Sequence, residues 1–219
     1  LKTTKKIVPK VPGIYNKERT KSKLIKAVGQ ILAKEGYQNI RVNKVAEKAG
    51  VAKKAIYVYF GGLDGLIKEY LKQVDFWQME KQKLETNEKK ALPEITKDFM
   101  LDLLKKDFQY FFDSREMQKI VLWGISEKNK TIRALIDERE ELGERIFKKA
   151  DEIFKDSLVD YRASIAILVS AIYYTVLHVK SNGSTMCGID MSSAEGKERL
   201  FKAMERYLSF IYEQPDVPL

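Results

Sequence analysis

The sequence predicts an all-α protein made of a small N-terminal three-helix unit and a larger C-terminal helical domain. Three observations predict it. Apolar residues recur at three- and four-residue intervals along most of the 219 residues, with no β-hairpin signal in competition. Two short helical patterns flank Gly50 in the manner of a helix-turn-helix. The basic charge is concentrated beside them: residues 1–60 hold 15 Lys and Arg against 3 Asp and Glu, and the remainder holds 25 against 28. The whole net charge of +9 therefore comes from the N-terminal quarter, which points to a polyanionic partner there.

Residues 41–63, RVNKVAEKAGVAKKAIYVYFGGL, carry the helix-turn-helix pattern. Val42, Val45, Ala46 and Ala49 share one face of a first short helix. Gly50 interrupts it where a tight turn needs tolerance of positive φ. A second short helix is expected from about Ala52 to Tyr59, with Val51, Ala55, Ile56 and Phe60 as its apolar contacts. Ala46, Gly50 and Ile56 suit two helices that cross steeply. Lys53, Lys54, Tyr57 and Tyr59 add donors that reach phosphates and base edges, so the second helix reads as a DNA-recognition helix.

Before this motif, residues 1–15 mix Lys with Pro9, Pro12 and Gly13 and read as a flexible basic arm. The first helix is expected to start near Asn16 or Thr20. Leu24, Ala27, Val28, Ile31 and Leu32 form its stripe, and Gly36 ends it. The DNA-binding domain is therefore placed at 16–62 and the helical remainder at 63–219.

This remainder is expected to open with one long helix, Leu63 to about Lys90, that belongs to both domains. Asp64 sits in its first turn, where the helix dipole favours a carboxylate. Pro93 is expected to start the next helix, Asp113 or Ser114 a shorter one, Thr131 a long amphipathic one and Asp160 an almost wholly apolar one. A Gly- and Ser-rich loop over 181–191 precedes a capping-box pattern at Ser192 and Glu195 and a last helix through Ile211. The apolar run 165–179 is shorter than a membrane span and carries Ser170, Thr175 and His178, so no bilayer crossing is expected. Ile7 to Val11 is too short, and too broken by Pro9, for a signal peptide. The single cysteine, Cys187, has no disulfide partner or metal-ligand spacing and suits a reducing cytoplasm. No Ser-His-Asp order, P-loop or metal spacing is visible, so no catalytic residues, metal or cofactor are expected.

Residues 20–66 closely resemble the N-terminal domain of the TetR/AcrR family of bacterial transcriptional regulators. The matching features run in order through Ala27, Gly36-Tyr37, Val45-Ala46, Ala49-Gly50-Val51, Ile56-Tyr57, Tyr59-Phe60 and Leu66. The resemblance implies that Lys53, Lys54 and Tyr57 lie in the major groove and that Tyr59 holds a phosphate. Arg41, Lys44 and Ala52 complete the expected DNA-binding set. The chain departs from the family at Ile40 and Arg41, where a hydroxyl cap is usual; Arg41 replaces its phosphate contact or Asn43 caps one step later. It departs again at Lys54, usually small, and at Leu63, usually Lys.

The two final helices are the expected homodimer surface, because a helix apolar on all sides needs a second partner and a dimer reads two half-sites of a palindromic operator in double-stranded DNA. The family's usual four-helix interface agrees. The aromatic set Phe99, Phe108, Phe111, Phe112, Trp123, Tyr173 and Tyr174 is either plain core or the lining of a pocket. For a pocket, the expected effector-binding residues are Phe99, Leu103, Phe111, Trp123, Tyr174 and His178. His178, the sole histidine, reads first as a hydrogen-bonded structural residue and second as a ligand contact. Together these features predict a sequence-specific transcriptional regulator, a dimeric repressor released by a small apolar or amphipathic effector. The alternative is a chromosome-organising protein of the same fold with no effector.

Overall fold

The structure is a computed structural model that describes residues 12–86, 93–183 and 185–213. Among these residues it is almost entirely helical: α1 (Pro12–Glu35), a 3-10 turn (Tyr37–Asn39), α2 (Val42–Ala49), α3 (Lys54–Phe60), α4 (Leu63–Val74), α5 (Phe76–Thr86), α6 (Lys97–Asp113), α7 (Arg115–Ser126), α8 (Lys130–Ile153), α9 (Tyr161–Ser181) and α10 (Ala194–Glu213). Two compact units divide within α4, between Leu71 and Lys72.

In the first unit α1 packs on α2 and α3. Leu24, Val28, Ile31 and Leu32 of α1, Val45 of α2 and Ile56 of α3 are completely buried. The apolar stripe expected of α1 is thus its packed face. The helix itself begins at Pro12, four residues before the expected Asn16. Proline fits a first helical turn, because its fixed φ is helical and its missing N–H has no partner to lose there. Residues 1–11 of the expected basic arm lie outside the described residues.

The second unit is built around α6, which packs against both α9 and α10. Phe108 and Phe111 of α6 are fully buried, with Met117 of α7 and Val176 of α9 in the same core. At its far edge Tyr161 of α9 and Tyr212 of α10 are hydrogen-bonded through their hydroxyls at 3.0 Å. The Tyr212 hydroxyl also donates to the Ile95 carbonyl at 3.0 Å, so both hydroxyls are satisfied.

Three expected boundaries and one loop are corrected. The helix from Leu63 does not run on to Lys90: it stops at Val74, and α5 starts afresh at Phe76. Asp75 causes the break, since its Oδ1 accepts the Gln78 N–H at 3.1 Å, as a capping residue does. Pro93 does not start α6. Thr96 does, with its hydroxyl accepting from Phe99 N–H. α10 is capped by Ser193, not Ser192: the Ser193 hydroxyl accepts from Gly196 N–H at 2.9 Å, while Ser192 is tied to Asp190. The loop before it also holds a minimal hairpin, β1 (Thr185–Met186) with β2 (Ile189–Asp190). Cys187 and Gly188 turn it with φ of 51° and 73°, the left-handed pair that a two-residue hairpin needs. By contrast Ser114 and Asp160 do cap α7 and α9 as expected, accepting from Met117 N–H and Ala163 N–H.

By length and composition α9 passes as a membrane-crossing helix, with 21 residues and mean hydropathy 1.5. That exceeds what its 165–179 core suggests. One of its faces, with Ile165, Leu168, Ile172 and Val176, is buried in the second unit.

Candidate functional site

The first candidate site is the outer surface of α3. The turn before it is made by Gly50 at φ 63°, ψ 40°, a left-handed conformation that costs any side chain energy. Its N–H groups close onto α2: Gly50 N–H reaches Glu47 O and Val51 N–H reaches Ala46 O. Ile56 then anchors α3 from below, and its opposite face is left to solvent. Ala52, Lys53, Lys54 and Tyr57 are all on this exposed side, and Tyr59 is half-buried. Val58, 63% exposed, shares that surface beside Tyr57 at 56%. Sequence reasoning misses Val58 because an isolated valine in a helical pattern carries no polar signal.

α4 follows α3 at very close range. A Cβ on Gly65 would lie 1.9 Å from the Phe60 carbonyl oxygen, so only glycine permits this approach. At the start of α2, Arg41 occupies the N-cap position without a side-chain cap, and its Nε reaches the Gln38 carbonyl at 3.4 Å. Asn43 does not cap the helix either. Lys44 is ion-paired with Glu35 of α1 and lies 3.3 Å from Asn39 Oδ1. These bonds fasten α2 to α1 and point the ammonium at a carboxylate.

The second candidate site is a cavity of about 570 Å³ inside the larger unit, walled by α5, α6, α7, α8 and α9. Its wall is mainly apolar, including Met100, Leu103, Ile120, Ile136, Phe147 and Val169. Of the expected effector residues Leu103 is in this wall, and the other five are not. Phe111 is core behind it, with its ring centroid 5.1 Å from that of Tyr173. Phe99 is half-buried against the core, and Trp123 is buried next to the wall residue Gly124. Tyr174 is 65% exposed and stacks on His178, whose Nε2 is hydrogen-bonded to Thr185 O at 3.1 Å. The aromatic wall consists instead of Trp77, Phe147 and Tyr173, with Trp77 Nε1 donating to the Tyr173 hydroxyl at 2.9 Å.

Charge enters the cavity at two places. Arg139 of α8 lines it and is ion-paired with the fully buried Asp75. Arg162 of α9 lines it too, bound to Glu144 and Asp151 at 2.6 Å each and lying over the Phe147 ring. Asp107 of α6 is also completely buried, and neither of its carboxylate oxygens has a hydrogen-bond partner. Burial pushes its pKa up to about 7; Arg139 partly opposes that rise and Asp75 adds to it. Burial and then the Asp107 charge raise the Tyr173 hydroxyl well above the usual tyrosine range. Among the described residues, no group of three or more His, Cys, Asp or Glu is arranged to hold a metal.

Residues 19–70 match the family model of bacterial regulatory proteins of the tetR family. No curated protein matches the sequence. Solved structures match nearly the whole chain. The fatty acid degradation regulator FadR from Bacillus halodurans does so with a TM-score of 0.59 at 17% identity, over 92% of this chain and 96% of its own. FadR from Bacillus subtilis in complex with stearoyl-CoA reaches 0.56 at 18% identity, over 87% and 97%. NalD, the secondary repressor of the MexAB-OprM multidrug efflux pump in Pseudomonas aeruginosa, reaches 0.58 at 16% identity, over 88% and 96%. At such identities the likeness is one of fold.

Proposed function

We propose that the chain, whose residues 19–70 match the tetR family of bacterial regulatory proteins, is a cytoplasmic, dimeric repressor released from a palindromic operator by a small apolar or amphipathic effector. The observation that carries the DNA-binding part is the exposed row Ala52, Lys53, Lys54, Tyr57 and Val58 above the buried Ile56, within the segment that matches the family. Lys53 and Lys54 neutralise phosphates or reach guanine edges, Tyr57 donates from its hydroxyl, and Val58 offers an apolar face to a thymine methyl. Arg41 and Tyr59 flank this row and contact the backbone. Lys44 serves DNA binding indirectly, by fixing α2 to α1.

The effector part is supported by the apolar cavity, whose volume suits a small ligand. The stearoyl-CoA complex of a protein with this fold supports it further. Domain roles follow: residues 16–62 read DNA, and 63–219 bind the effector and dimerise. The dimer surface combines the outer faces of α9 and α10. Ile167, Tyr174 and Phe210 are 60%, 65% and 59% exposed, and Ala163, Ala171 and Ala203 between them let helices approach closely.

The test is operator affinity measured by fluorescence anisotropy for Lys53→Ala, Lys54→Ala and Tyr57→Phe. Removing a base contact should cost about 1–3 kcal/mol at one operator position, whereas removing a phosphate contact should weaken binding to all sequences together. Three folded variants that bind like the parent would remove α3 from the interface.

A further inference from the structure

The cavity differs from the rest of the molecule in its charge. The protein carries a net +9, yet the groups in and behind this wall are mostly acidic. Arg139 and Arg162 are the cations of the lining, and Glu140 and Glu144 are its carboxylates. Both guanidiniums are already committed, Arg139 to Asp75 and Arg162 to Glu144 and Asp151. Asp107 then adds a further carboxylate one helical turn beyond the wall residues Leu103 and Leu104, coupled in charge to the wall residues Arg139 and Tyr173. Among the described residues, two cations and two carboxylates thus line the cavity, Asp75 and Asp151 pair with those cations from outside the lining, Asp107 lies buried behind it, and the exposed Lys148 is near Glu144.

We infer that the cavity selects a cationic amphipathic ligand, an amine or quaternary ammonium on an apolar body, with its positive end toward Asp107 and its body against Trp77, Phe147 and Tyr173. This inference rests on the proposal that the cavity is the effector site and names the chemical class it takes. An ionised carboxylate that is buried without a partner is costly, and a ligand cation supplies the partner that the protein does not. The rings add attraction, since a cation over an aromatic face gains most where water is excluded. An anionic ligand would meet the opposite balance: both arginines are paired, and the carboxylates around them repel it.

The test compares three probes with the same ten-carbon chain, decyltrimethylammonium, decanoate and decanol, kept below micelle-forming concentrations. Binding to the full-length protein is followed by calorimetry and by tryptophan fluorescence, and operator affinity is measured in parallel. The ammonium should bind, decanol more weakly and decanoate least. Asp107→Asn should reduce ammonium affinity by about tenfold or more and leave decanol unchanged. Glu140→Gln, at an exposed position that does not threaten folding, should reduce it by a smaller factor. Decanoate binding as tightly as the ammonium would overturn the charge assignment and leave the effector proposal standing. Failure of all three probes to bind would overturn both. Ammonium affinity unchanged in both variants would overturn the placement of the cation.

Discussion

Asp107 is a side chain whose cost changes with pH. Its folded-state pKa is raised to about 7 by burial, with Arg139 opposing and Asp75 reinforcing, against an unfolded value near 3.8. A carboxyl whose pKa rises on folding binds more protons when folded, so stability is fullest below about pH 4 for this group and falls as pH rises from there through about 7. Asp107→Asn should therefore stabilise the protein by a few kcal/mol at pH 8 and by much less at pH 4.5, measured by urea unfolding at both. Equal effects at the two pH values would contradict the assignment. Gly65 acts through space. Gly65→Ala would press a methyl into the Phe60 carbonyl and should lower stability by about 1–3 kcal/mol, with operator binding abolished as α3 shifts. An unchanged melting temperature in that variant would show that the approach of α4 to α3 is looser than described. Neither residue stands out in the sequence. A buried acid on a helical stripe looks like any polar interruption, and a glycine near a helix start looks like part of the preceding break.

At the scale of elements, the break between α4 and α5 has the largest consequences. The spacing of Leu66, Ile67, Tyr70, Leu71 and Val74 continues toward Lys90 without a sequence signal strong enough to stop a helix. Asp75 ends it because its carboxylate is claimed twice, by the Gln78 N–H and by Arg139, which is 64 residues away. The second partner cannot be found by local reasoning. Asp75→Ala should cost about 3–5 kcal/mol, as expected for a buried cation left alone, and a smaller loss in urea unfolding would argue that Arg139 finds water instead. For the proposed effector response, any signal from the cavity would enter at this junction, through Arg139 and Asp75, instead of along one rigid helix. The two last helices also separate into faces that composition does not distinguish. Val176 and Leu208 are fully buried within the chain, so a glutamate at either should unfold the larger unit. Ile167 and Phe210 point outward. Ile167→Glu and Phe210→Glu should each give a folded monomer by light scattering, and persistent dimers in both would move the interface elsewhere. The same ambiguity explains why the sequence suggests Tyr174 for the pocket while Tyr173 is there. On a helix apolar all round, one residue step turns the side chain by about 100°, and only the neighbours decide which face is inward.

For the whole molecule, the presence of a separate N-terminal helical unit is legible from the N-terminal charge excess and the Gly50 turn, because both are local properties of the chain. The first unit's core, Leu24 through Ile56, follows the three- and four-residue spacing closely. The cavity is not legible, since its wall draws on five helices and depends on where each helix ends. The proposed dimer, with its basic head, should bind DNA with a steep salt dependence. Each phosphate neutralised contributes about −0.9 to the logarithmic slope, so several contacts per head predict a slope of several units. The most direct measurement is selection of binding sites from random duplex DNA at moderate salt, followed by sequencing of the bound fraction. The proposed regulator should enrich one two-fold symmetric motif, and that enrichment should disappear in the Lys53→Ala/Lys54→Ala double variant. Binding that enriches no motif, or a motif retained unchanged in the double variant, would contradict base readout by α3.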